Sequence, residues 1–204
     1  MAVAPGSWGK ERVDEAQLIQ ASRQGDVSAF NRLVLAYQQT IYNLAFRMLG
    51  EAEAAADITQ EAFISAFRSL ASFRDGSFKG WLLRIATNAC YDQLRQRRRH
   101  PLSSLEDLVE VVEKLPSPEA GPDEYALRRE LADEIQRGLA TLPPEQRVVV
   151  IMSDVQGFSY EDIAQATNTS LGTVKSRLSR GRAHLRDYLA QKRELLPVRY
   201  RLSM

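Results

Sequence analysis

The chain holds a single cysteine, Cys90, and two histidines, His100 and His184, in 204 residues. One thiol excludes an intramolecular disulfide and any zinc site built on cysteines. The histidines stand apart in basic surroundings, so no Cys/His cluster marks a metal or nucleophilic centre. The 11 glycines and eight prolines form neither a phosphate-binding loop nor a glycine-rich dinucleotide turn. No apolar run approaches the roughly 20 residues of a membrane span, and the N-terminus lacks a signal-peptide core. These absences point away from an enzyme, a cofactor, a metal or membrane insertion. A cytoplasmic protein is expected.

An excess of one charge is missing too. Lys and Arg number 27 against 26 Asp and Glu, a net charge of +1, so total charge names no partner. Its distribution does. Arg95, Arg97, Arg98 and Arg99 form one basic block, and a second runs from Lys175 to Arg186. Between them Glu106, Asp107, Glu110, Glu113, Glu119, Asp123 and Glu124 face only Lys114. Such segregation implies two cationic surfaces separated by an anionic strap.

Periodicity predicts an all-α chain of two small helical domains. Residues 1–13 read as a loose tail. Within 14–100, a short helix opens at Asp14 and closes at Gly25, and a long amphipathic one spans Ser28 to Leu49. A third runs from about Glu53 to Leu70, and a fourth from about Gly80 to Arg98. Residues 101–123, broken by Pro101, Pro116, Pro118 and Pro122, read as an extended acidic linker that ties the domains without fixing their separation. The second domain covers 124–190, with Pro143-Pro144 dividing its first two helices, and 191–204 is a second tail. Val148 to Ile151 is compatible with a strand, but its flanks are helical.

The most specific pattern lies near the C-terminus. Ser159 is a good N-cap with Asp162 three residues on; Ile163 and Ala164 give the helix its apolar side, and Asn168-Thr169-Ser170 breaks it. Ser170 then caps a second helix in which Val174, Leu178 and Leu185 share a face while Lys175, Arg177, Arg180, Arg182 and Arg186 decorate the rest. No acid occurs between Ile163 and Arg186. This reads as a helix-turn-helix, whose second helix enters the DNA major groove; an ordinary solvated basic helix is the alternative.

Two features of the first domain are distinctive. Asp57, Gln60 and Glu61 sit within a turn of one another beside Phe63 and Phe67, either a solvated face or a ridge for a partner helix bearing arginines. Trp81, Arg84, Asn88, Tyr91 and Arg95 bring aromatic, amide and guanidinium groups to one helix, the equipment for holding unpaired bases, though a tryptophan there also suits a core.

The run Asp57-Ile58-Thr59-Gln60-Glu61-Ala62-Phe63 and the run from Phe73 through Gly80-Trp81-Leu82 to Asn88 resemble the second region of an extracytoplasmic-function sigma factor. Leu142-Pro143-Pro144-Glu145-Gln146-Arg147 and the helix-turn-helix resemble the fourth. The resemblance covers about residues 16–190. It implies a protein that binds bacterial core RNA polymerase, recognises the −35 and −10 promoter elements and helps open the duplex, with an anti-sigma factor as a further partner. By position it assigns Asp57, Gln60, Glu61 and Phe63 to the polymerase. Phe73, Ser77, Lys79, Trp81, Arg84, Asn88, Tyr91 and Arg95 fall to the −10 element, with Asn88 at a flipped base. Thr173, Lys175, Ser176, Arg177, Ser179, Arg180 and Arg182 fall to the −35 element. The competing reading is a stand-alone helix-turn-helix regulator whose first domain senses a ligand or dimerises.

Overall fold

The computed structural model describes residues 15–74, 76–99 and 122–192, which form eight α-helices and no strand. The expected N-terminal tail, almost all of the expected linker and the last twelve residues lie outside them. In the first unit α1 (Glu15–Arg23) and α2 (Val27–Leu49) meet at a turn where Asp26 accepts the Ala29 N–H at 3.1 Å, a cap absent from the sequence reading. The buried stripe of α2, from Phe30 and Leu33 to Leu44 and Met48, packs on Ile58, Ala62 and Ala66 of α3 (Ala52–Ser69). A 3-10 turn, Leu70–Ser72, leads toward α4 (Phe78–Arg99).

α4 starts two residues before the periodicity suggested. Ser77 caps it by accepting the Gly80 N–H at 3.0 Å, and Phe78, 1% exposed, anchors its first turn. Phe73, Phe78 and Trp81 form a cluster with ring centroids 5.2 to 5.6 Å apart. Removing the Phe78 ring would cost about 3–5 kcal/mol, because packing this dense leaves a cavity.

The second unit begins with α5 (Pro122–Thr141), so Pro122 and Asp123, expected in the linker, are helical. Pro144 occupies the first position of α6 (Pro144–Val150), where a missing N–H costs nothing. Val148 to Ile151 is helical rather than extended, and the chain then widens into one π turn, Ile151–Val155. α7 (Tyr160–Thr167) and α8 (Leu171–Ala190) follow. Gly181 lets α8 press on α6: a Cβ there would lie 2.7 Å from Val150 Cγ2.

The two units share a seam, where the sequence suggested a free tether. The C-terminus of α2 carries carbonyls with no partner inside the helix. Gln136 of α5 donates to Arg47 O at 3.2 Å, Arg147 of α6 to Met48 O at 2.6 Å, and Arg97 of α4 to Leu49 O at 3.3 Å. Arg147 also donates to Ala140 O and Leu142 O, at 2.5 and 3.2 Å, so three carbonyls compensate its burial. Farther along, Gln156 donates to Thr40 O at 3.0 Å, and α7 lies along α4.

Candidate functional site

The helix-turn-helix forms as its caps dictate. Ser159 accepts the Asp162 N–H at 3.1 Å and donates to Asp162 Oδ2 at 2.9 Å. Asn168, left-handed at φ 51°, ends α7. Ser170 accepts the Thr173 N–H at 3.1 Å and lies 2.9 Å from the Thr173 hydroxyl, so Thr173 is half-buried and occupied by the cap. Val174, Leu178 and Gly181 face inward. Lys175, Ser176, Ser179 and Arg180 are exposed, with Arg180 Nε donating to Ser176 O at 3.2 Å. Arg177, half-buried, faces the first unit near Tyr91. Arg182 is held by Asp154 through two bonds, Nε to Oδ2 at 2.9 Å and Nη2 to Oδ1 at 2.6 Å. Asp154 carried no signal in the sequence, because the π turn that aims it is invisible to a 3.6-residue period.

On α4 the structure brings only part of the expected −10 set to the surface. Arg84, Asn88 and Arg95 are exposed along one face, Arg95 paired with Asp92. Phe73 is 8% exposed inside the aromatic cluster, which corrects its expected place in a base pocket: its ring is core. Trp81 is half-buried in the same cluster, and Ser77 is engaged as the cap of α4. Lys79 holds its ammonium 3.9 Å from the Phe158 ring centroid, across the seam. The Tyr91 hydroxyl is buried with no partner among the described residues. Burial pushes it up to about 12, Glu145 adds to the shift and Arg177 opposes it.

On α3, Asp57, Gln60 and Glu61 are exposed as the spacing required, but Phe63 is not on their ridge. It is 7% exposed and meets Phe30 edge-on, centroids 6.5 Å apart. Beside the ridge runs an apolar groove of about 640 Å³ between α2 and α3, with Phe30, Val34, Tyr42 and Phe63 among its walls. Val27, Ile64 and Phe67, 56%, 42% and 40% exposed, stand at its lip. The signal for Ile64 was present: it is apolar yet out of phase with the buried Ile58, Ala62 and Ala66. An exposed apolar groove edged by amides and Arg68 marks a protein-docking surface.

Residues 33–100 match the family model for sigma-70 region 2, and residues 132–185 that for sigma-70 region 4. The ECF RNA polymerase sigma factor SigM of Mycobacterium tuberculosis is 37% identical over 89% of this chain and 88% of its own length. The chain belongs to the ECF sigma factors. SigE of Mycolicibacterium smegmatis is 39% identical over 82% of this chain, which spans 64% of that longer relative. Among solved structures, the sigma factor RpoE of Bartonella quintana, in complex with the anti-sigma factor NepR, superposes with a TM-score of 0.62 at 30% identity, over 80% of this chain and 98% of that one. The matches bracket the two helical units, region 2 from α2 to α4 and region 4 from α5 to α8. Among the described residues no helix is long and apolar enough to cross a membrane.

Proposed function

We propose that this ECF sigma factor divides promoter-dependent initiation among three surfaces. Asp57, Gln60 and Glu61, with the groove beside them, dock on core RNA polymerase. The lip residues Val27, Ile64 and Phe67 supply desolvated area and the two carboxylates supply orientation. Arg84, Asn88 and Arg95 meet the melted −10 strand, and Lys175, Ser176, Ser179 and Arg180 meet the −35 duplex. The chain itself is not an enzyme in this reading: bond making belongs to the polymerase, and the work is done in the cytoplasm without a cofactor. An anti-sigma factor is a partner by analogy with the NepR complex of the Bartonella relative.

One observation carries the proposal: a single chain pairs an exposed apolar groove, in which Gln60 of the α3 ridge takes part, with a cationic helix-turn-helix face. A stand-alone regulator needs the second but not the first. The test is binding to purified core polymerase. Asp57→Ala with Glu61→Ala should weaken it about tenfold or more, with helix content unchanged. Unchanged polymerase binding would remove α3 from the interface.

In the closed arrangement described above, α7 lies against α4, and Lys79 and Tyr91 are engaged in the seam. Reading both promoter elements at once therefore requires the seam to open. Polymerase binding at the α2–α3 groove is compatible with either state, since the groove lies on α2 and α3 away from α7.

A further inference from the structure

Arg182 and Asp154 make an ion pair whose stereochemistry is unusually informative. A guanidinium offers five N–H donors in a rigid fork. Asp154 takes the Nε and Nη2 side of that fork, at 2.9 and 2.6 Å. Tyr160 lies beside the group, and the Arg182 side chain remains 51% exposed. That hydrogen-bonded pairing raises the Arg182 pKa still further, so the group is a fixed cation at every accessible pH.

The surroundings are cationic and concave. Tyr160, Lys175, Ser179, Arg182 and Arg186 line a shallow pocket of about 350 Å³ between the start of α7 and one flank of α8. Asp154 reaches Arg182 from the π turn, where Gln156 N–H bonds to Ile151 O at 3.0 Å and Phe158 N–H to Met152 O at 2.9 Å. Such turns are rare and recur at functional positions. A carboxylate this close to a DNA-binding face is costly on plain electrostatics, since it repels phosphate. Its presence calls for a compensating gain.

We infer that Asp154 is a positioning residue, which locks Arg182 so that its exposed side meets a backbone phosphate of the −35 duplex, with Lys175 and Arg186 flanking that phosphate. The inference rests on the −35 assignment of α8 and adds a residue to it. Its gain is entropic: an arginine held in place loses less freedom on binding than one that is free to swing.

The sign of one substitution decides the matter. The full chain is used to select −35 duplexes from a random-sequence pool, and affinities are then read by fluorescence anisotropy across a salt series. Failure of the parent chain to select any duplex would sink the −35 assignment itself, separately from the role of Asp154. Given binding, Asp154→Ala and the nearly isosteric Asp154→Asn should weaken it about three- to tenfold and lower the salt slope by about one ion, despite removing a negative charge. Arg182→Ala should match that loss, and the double variant should be no weaker than Arg182→Ala alone. The exchanged pair, Asp154→Arg with Arg182→Asp, should restore the melting temperature but not the affinity. Equal or tighter binding by Asp154→Asn would overturn the proposal. So would full affinity in the exchanged pair, which would make the contact a staple only.

Discussion

α4 and α8 are both long, cationic at their exposed faces and assigned to DNA, yet they meet solvent differently. On α8 the residues assigned to the −35 duplex, Lys175, Ser176, Ser179 and Arg180, are all exposed. Of the residues on α4 assigned to the −10 strand only Arg84, Asn88 and Arg95 are, while Lys79 is stacked on Phe158 and the Tyr91 hydroxyl is buried. The cause is packing. α8 buries one narrow apolar stripe against α6 and α7, whereas α4 is gripped on one flank by the core of region 2 and on another by α7. Of the two proposed readers, one is available as it stands, and the other is partly masked by the second unit. On the proposed assignment, the contrast predicts a different competence of the free protein for duplex and for single strands.

The largest effect expected from that contrast separates the two readers. Arg180→Ala should cost about 1–3 kcal/mol of −35 duplex binding and relax specificity at one position if it meets a guanine. Asn88→Ala should spare duplex binding and reduce promoter opening, read as loss of permanganate-reactive thymines. Failure of both variants at one step would erase the distinction.

A smaller effect sharpens the masking. Gly80 lies where α4 approaches α7, and a Cβ there would stand 2.6 Å from Gln165 Oε1 and 2.8 Å from its Cδ. That glutamine end can swing aside for alanine but not for a branched side chain. Gly80→Leu should wedge the seam open, enlarging the radius of gyration in solution scattering. Binding of a single-stranded −10 oligonucleotide by the free chain should then tighten by up to about tenfold, the reciprocal of the competent fraction in the parent. Unchanged scattering together with unchanged binding would show that α7 masks nothing.

The smallest effect concerns the buried side of α4. Cys90 is fully buried, and burial pushes its thiol up to about 12 from an ordinary value of 9.0. Because the thiolate is the nucleophile, the native chain should resist iodoacetamide at pH 8 for hours and react promptly in denaturant, followed by intact mass. The wedge at Gly80 should leave this protection in place, since it opens the seam and not the region 2 core. Prompt reaction of the wedged chain would mean that core and seam open together.

Most of the fold was legible because helical period and capping residues are local. Ser159, Ser170, Gly25, Gly50 and Pro144 announced their helix ends through side-chain or backbone chemistry that needs no tertiary context. The ridge at Asp57 and Glu61 was legible for the same reason. What escaped was whatever depended on distant partners. Phe73 and Phe63 looked available as aromatics in motif positions, but each had a better partner in the core, Trp81 for one and Phe30 for the other. Asp154 escaped because one π turn rotates it out of the expected register. The seam escaped because its bonds join residues more than 80 positions apart, such as Arg147 and Met48.

The end of α2 has a consequence for how often the molecule can change state. Its last carbonyls are served across the seam by Gln136 and Arg147, both polar donors that water can replace bond for bond. Parting the joint at this point uncovers carbonyl oxygens that water can take over, while the apolar cluster that runs through both units parts with it. Hydrophobic closures are strong but leave sticky faces when they part. This closure combines the two: its helix-end bonds exchange with water, and its apolar contact gives the halves a reason to meet again.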